Sequence, residues 1–198
     1  MFEDHTLKVG DTAPELKLKD QHGNLIFLRD FAKKKWVVLY FYPKDDTPGC
    51  TKEACQLRDQ SKQLEPFNVQ VLGVSVDSIE SHDKFARKFN LNFPLLADPT
   101  KKVTKAYGAL AFYRLARRIT FIIDPEGKIR HIFSKVNPTS HVDEIVEALK
   151  QLQEKQFQED LAALGMDVLN IALKVEELLV KMLAESASEL YQMTQIRF

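Results

Sequence analysis

The chain changes character twice between Trp36 and Arg58, and this limits the folds open to it. The run Trp36-Val37-Val38-Leu39-Tyr40-Phe41 is apolar and rich in β-branched and aromatic residues, which predicts a strand buried on both faces. Two prolines and a glycine then mark a loop, Tyr42-Pro43-Lys44-Asp45-Asp46-Thr47-Pro48-Gly49. Good helix formers follow Cys50, among them Lys52, Glu53, Ala54, Gln56, Leu57 and Arg58. A thiol therefore stands where a loop becomes a helix, just beyond a core strand. The first amide N–H groups of a helix lack partners and carry partial positive charge. A thiolate placed there is stabilised, which is one way to build a reactive sulfur.

The same alternation continues on either side. Leu16-Lys17-Leu18-Lys19 and Leu25-Ile26-Phe27-Leu28 flank a turn at Asp20–Asn24 and predict an edge hairpin. A helix is expected over residues 50–64, stopping before Pro66, and a second core strand over Asn68–Val76. Ile79–Phe89 reads as a helix and Pro94–Asp98 as a short apolar segment. Thr100–Tyr107 reads as a short helix closed by Gly108. Arg118–Asp124 is a third core strand, Lys128–Phe133 its antiparallel return, and His141–Leu152 an amphipathic helix. Strands alternating with helices predict an α/β fold, a central mixed sheet flanked by helices.

Composition removes several function classes. Lys and Arg balance Asp and Glu at 28 each, so nothing in the charge favours a nucleic-acid partner. No apolar run is long enough to span a membrane, and Met1–His5 does not resemble a secretory signal. The two cysteines are too few and too close for a disulfide framework, so a reducing, cytoplasmic setting is expected. The histidines, at positions 5, 22, 82, 131 and 141, form no close pair, so no metal is expected; they read as surface residues. A Cys-x-x-Cys redox motif and a phosphate-cradling glycine loop are both absent, and no cofactor is implied.

Pro43-x-x-x-Thr47-x-x-Cys50 resembles the active-site motif of the peroxiredoxins. The longer run from Phe41 to Cys55 is similar to their Q-type, or bacterioferritin-comigratory, subfamily. The likeness continues in Gly10-Asp11-x-Ala13-Pro14, in Gly73-Val74-Ser75-x-Asp77, and in Arg118–Asp124 with Gly127-Lys128, covering about residues 5–150. It implies a thioredoxin-like fold over residues 1–152 and thiol-dependent reduction of hydrogen peroxide and organic hydroperoxides. Recycling by thioredoxin or a glutaredoxin-like dithiol donor is implied as well. An alternative from another class is a non-catalytic peroxide sensor or scaffold that signals through oxidation of Cys50, with the C-terminal helix as its effector arm.

On this resemblance Cys50 is the peroxidatic nucleophile; a buried, inert cysteine is the plainer reading. Thr47 can hydrogen-bond the peroxide or the thiolate, or simply cap the helix. Pro43 would shield the sulfur, or merely end the strand. Arg118 opens a core strand and would place a permanent cation by the sulfur. Neighbours in a strand point to opposite faces, so only one of Arg117 and Arg118 can face the sulfur, and the family pattern favours Arg118. Glu53, one turn after Cys50, either orients Arg118 or is a surface carboxylate.

The resemblance also makes Cys55 the resolving thiol, joined to Cys50 in an intramolecular disulfide. Residues five apart in a helix lie roughly 8–9 Å apart between Cα atoms. A disulfide tolerates only about 4.4–6.8 Å. The first turns of the helix would therefore have to unwind. A buried, unreactive Cys55 with an external resolving thiol is the other possibility.

Residues 153–198 lie outside the resemblance and read as an α-helical extension. Phe157, Leu161, Leu164, Val168, Ile171, Val175, Leu178 and Met182 make a heptad seam. Gly165 is its weak point and could break it into a helical hairpin. The stripe could pack on its own domain, pair copies of the chain into a homo-oligomer, or dock another protein. Membrane binding fits least, because the polar face is acidic.

Overall fold

The structure, a computed structural model, describes residues 7–111, 113–163, 165, 170, 172–173, 176–177 and 180–181. The chain divides into two compact units, Met1–Lys150 and Gln151–Phe198.

The first unit is built on a seven-stranded mixed sheet. The strands are β1 (Lys17–Lys19), β2 (Leu25–Phe27), β3 (Trp36–Phe41), β4 (Val69–Ser75), β5 (Leu95–Ala97), β6 (Ile119–Ile123) and β7 (Ile129–Phe133). Their order across the sheet is β2-β1-β5-β4-β3-β6-β7. The helices are α1 (Pro48–Asp59), α2 (Ser61–Leu64), α3 (Ile79–Phe89), α4 (Lys102–Ala106) and α5 (His141–Ala163). All six residues of β3 are buried, as its unbroken apolar run requires.

β3 divides the core. Val37, Leu39 and Phe41 point into a cluster with Leu72, Val74, Tyr107 and Phe121 on one face of the sheet. Tyr40 and Tyr42 point to the other face, their rings stacked at 5.4 Å. Fully burying one such side chain stabilises the fold by about 1.5–3 kcal/mol, so this strand is a main source of the domain's stability.

Strand register determines what meets at the end of β3. β4 runs parallel to it, pairing Phe41 with Val74. β6 runs antiparallel, pairing Phe41 with Ile119. The exit of β3, the exit of β4 and the entry of β6 therefore lie at one edge of the sheet. The loop before α1, the start of α3 and Arg118 are all delivered there.

Several expectations need correction. The helix expected over 50–64 starts two residues earlier, because Pro48 is preorganised for a first helical position, and it breaks at Gln60 into α1 and α2. α5 runs beyond Leu152 to Ala163, and Gly165 turns the chain with φ of +67°. Of the heptad seam, Phe157 is exposed and Leu161 buried. Leu164, Val168, Ile171, Val175, Leu178 and Met182 lie outside the described residues. No helix among the described residues is long and apolar enough to cross a membrane.

Candidate active site

α1 begins Pro48-Gly49-Cys50 with Thr47 as its N-cap, so Cys50 is the third residue of the first turn. Cys50 is buried, at 2% exposure. The Thr47 hydroxyl does not cap the helix; it donates to the Lys44 carbonyl at 3.1 Å and closes the preceding loop. Pro43 is half-buried on the same loop. Cys55 is half-buried farther along α1, and both thiols are free. One continuous helix therefore carries the two sulfurs.

Arg118 comes from the other side. One guanidinium nitrogen, Nη2, donates to Cys50 Sγ at 3.2 Å. The other terminal nitrogen, Nη1, donates to Glu53 Oε2. A Cβ on residue 49 would come within 3.2 Å of Arg118 Nη2, so the glycine beside the cysteine leaves room for the cation. Arg117 turns away, exposed, and donates to the Gly108 carbonyl at 2.5 Å. Both arginines precede β6, which starts at Ile119 rather than at the expected Arg118, and only Arg118 reaches the sulfur.

Glu53 is not a surface carboxylate, since it is only 1% exposed. Burial outweighs the neighbouring Arg118 charge and pushes its carboxyl up to about 7. Its Oε1 has no hydrogen-bond partner among the described residues. A group whose folded value lies above its unfolded one, near 4.5, stabilises the fold fully below that unfolded value. The contribution is lost as the pH rises through about 7. Buried His141 works in the opposite sense. Burial holds it down at about 4, so its contribution is full above 6.5 and is lost as pH falls through about 4. Comparing wild type with Glu53→Gln isolates the carboxyl. Wild type should lose denaturant stability relative to the variant as pH rises from about 4.5 to above 7. Parallel stability curves would contradict this.

Three groups at this edge escaped sequence reasoning. Tyr40 Oη is buried and lacks a partner among the described residues. Burial first, then the charges of Glu53 and Cys50, raises its pKa well above the usual tyrosine value. Its ring lies over Gly73, where a Cβ would meet Tyr40 Oη at 2.8 Å. His82 and His141 are fully buried rather than at the surface. His141 Nε2 meets Thr120 Oγ1 at 2.8 Å, and His82 Nδ1 meets Asp45 Oδ2 at 2.8 Å. The pairings of these histidines with residues 21 and 37 positions away leave no local signal. Among the described residues no group of His, Cys, Asp or Glu could hold a metal ion.

This arrangement can do thiol chemistry on a small polar substrate. A sulfur in the first turn of a helix faces a fixed cation that can stabilise both a thiolate and charge growing on a leaving oxygen.

Comparison with known proteins agrees. The AhpC/TSA family model matches residues 9–132. Peroxiredoxin Bcp of Bacillus subtilis is 42% identical over 157 residues, spanning 76% of this chain and 99% of that protein. The chloroplastic peroxiredoxin Q of Sedum lineare is 42% identical over 73% of this chain and 78% of its own. The bacterioferritin comigratory protein of Xanthomonas campestris, whose structures concern its alkyl peroxide reduction activity, superposes with a TM-score of 0.65 at 35% identity. It covers 69% of this chain and 90% of its own.

Proposed function

The chain belongs to the AhpC/TSA family of peroxiredoxins and is a thiol-dependent peroxidase; from that premise we propose that Cys50 is its nucleophile, Cys55 its resolving thiol and Arg118 its electrostatic catalyst. The observation that carries this reading is the 3.2 Å contact between Arg118 Nη2 and Cys50 Sγ, made across 68 residues of sequence.

In the first step the Cys50 thiolate attacks one peroxide oxygen. A sulfur–oxygen bond forms, the O–O bond breaks, and the departing oxygen takes a proton to leave as water or alcohol. Arg118 stabilises the charge on that oxygen, and Glu53 holds the guanidinium in place. The Thr47 hydroxyl gives its one proton to the Lys44 carbonyl, and its oxygen is left able to accept a hydrogen bond from the peroxide. Pro43 screens the sulfur from water. In the second step Cys55 attacks the sulfenic sulfur, an S–S bond forms, and water is released. Thioredoxin or a glutaredoxin-like protein then reduces the disulfide by thiol exchange and becomes oxidised itself. A reducing cytoplasm that supplies such donors suits two free thiols on one helix.

Residues five apart in an intact helix are too distant for a disulfide. Oxidation by one equivalent of hydroperoxide should therefore cost α1 part of its helix. Circular dichroism should fall, and amide exchange should accelerate around residues 46–60. A mapped Cys50–Cys55 bond with an unchanged spectrum would contradict the reading. Sustained peroxide turnover with thioredoxin and its reductase is expected in the same preparation.

A further inference from the structure

Asp45 stands five residues before Cys50 on the loop that carries Pro43 and Thr47, and it is held more closely than a loop carboxylate needs to be. Its side chain is 4% exposed. Oδ1 accepts from Tyr42 Oη at 2.7 Å. Oδ2 accepts from Ser81 Oγ at 2.7 Å and contacts His82 Nδ1 at 2.8 Å. Its backbone N–H donates to Asp77 Oδ2 at 2.9 Å, and Asp77 is itself gripped by Ser75 Oγ at 2.7 Å. Burial alone would raise the Asp45 carboxyl, but these hydrogen bonds and the His82 charge outweigh it and hold it below the usual range.

His82 makes this cluster unusual. It is fully buried in the first turn of α3, and its Nε2 has no partner among the described residues. A buried imidazole with one nitrogen unpaired is destabilising compared with an apolar side chain of similar volume. Packing against the Tyr42 ring would be served as well by leucine or phenylalanine. What histidine has and those residues lack is Nδ1, which meets Asp45 Oδ2 at 2.8 Å and Tyr42 Oη at 3.4 Å.

We propose that His82 is a positioning residue for the peroxidase reaction: through Asp45 it latches the Pro43–Gly49 loop onto α3, holding Cys50 ready for peroxide and restraining the unwinding that lets Cys55 reach it. The latch acts where α1 must come apart. Thr47 and Pro48 begin that helix two and three residues after Asp45, so any unwinding of its first turn pulls on the Asp45 anchor. An exposed second tie, Lys88 Nζ to Asp46 Oδ2 at 2.6 Å, adjoins it. The two steps then respond in opposite directions. A firm latch favours attack on peroxide, and a loose one favours disulfide formation.

The proposal rests on the Cys50–Cys55 reading above, and the experiment separates the two. Sulfenic acid formation is timed in Cys55→Ser protein, where the reaction stops after the first step. Disulfide formation is timed in protein that retains both thiols, by rapid quench and mass mapping. His82→Ala should slow the first step about tenfold and speed the second about tenfold, the effect of losing one buried hydrogen bond to a charged group. His82→Asn, which puts an amide N–H where Nδ1 was, should restore both rates to within about threefold of wild type. Leu18→Ala, in the remote edge hairpin, supplies a destabilised control and should leave the ratio of the two rates unchanged. Rates that fall together in His82→Ala, or a ratio that shifts equally in Leu18→Ala, would overturn the proposal. Absence of any Cys50–Cys55 bond in otherwise unaltered protein would instead overturn the resolving reading.

Discussion

Replacing Cys50 with serine is expected to lower peroxidase turnover by about four orders of magnitude or more, the scale on which removing a nucleophile acts. A serine hydroxyl is not ionised near neutral pH, and its oxygen cannot accept a second oxygen to form a sulfenic acid. The loss should come without unfolding. Cys50 is 2% exposed in the first turn of α1, and serine fits the same space while accepting the hydrogen bond that Arg118 Nη2 now gives the sulfur. Hydroperoxide consumption with thioredoxin and its reductase measures the activity, and thermal unfolding measures the fold. Residual turnover within about tenfold of wild type would mean that another group attacks the peroxide.

Replacing Arg118 with glutamine is expected to lower the second-order rate of Cys50 oxidation by about 10²–10³-fold, as loss of a preorganised donor to a developing oxyanion does elsewhere. Lysine should rescue little. Arg118 uses separate terminal nitrogens on Cys50 and on buried Glu53, and a single ammonium cannot span both partners in that geometry. Arg117→Gln is the matched control. Its guanidinium is exposed and bound to a backbone carbonyl, so its loss should change the rate less than about twofold. Equal effects at the two positions would show that general positive charge, not this contact, assists the reaction.

The parts of this molecule legible in the sequence are those set by local pattern. The apolar run of β3 and the proline-bracketed loop both depend on near neighbours, whereas the choice of Arg118 over Arg117 comes from the family resemblance, a simple alternation saying only that one of the two can face the sulfur. The site motif was readable because its residues lie within one short stretch. What the sequence hid depends on contacts far apart along the chain. His82 and His141 look like ordinary polar residues on amphipathic helices, yet both are fully buried because Asp45 and Thr120 wait for them across the fold. Glu53 could have faced water, and the antiparallel pairing of β3 with β6 is what brings Arg118 to pair with it. Thr47 has the right chemistry for a helix cap, but the Lys44 carbonyl takes its hydroxyl. Tyr40 reads as one more aromatic in a core strand, and its unpaired phenol emerges only once Gly73 is placed beneath it.

If one sulfur in the first turn of α1 performs the chemistry, the oxygen it gains can be located. Cys55→Ser protein given one equivalent of hydroperoxide, trapped at once and mapped by mass, should carry a single added oxygen on the peptide that contains Cys50, with the rest of the chain unmodified. An unmodified Cys50, with the hydroperoxide unconsumed or its oxygen found on another residue, would contradict this account of the active site.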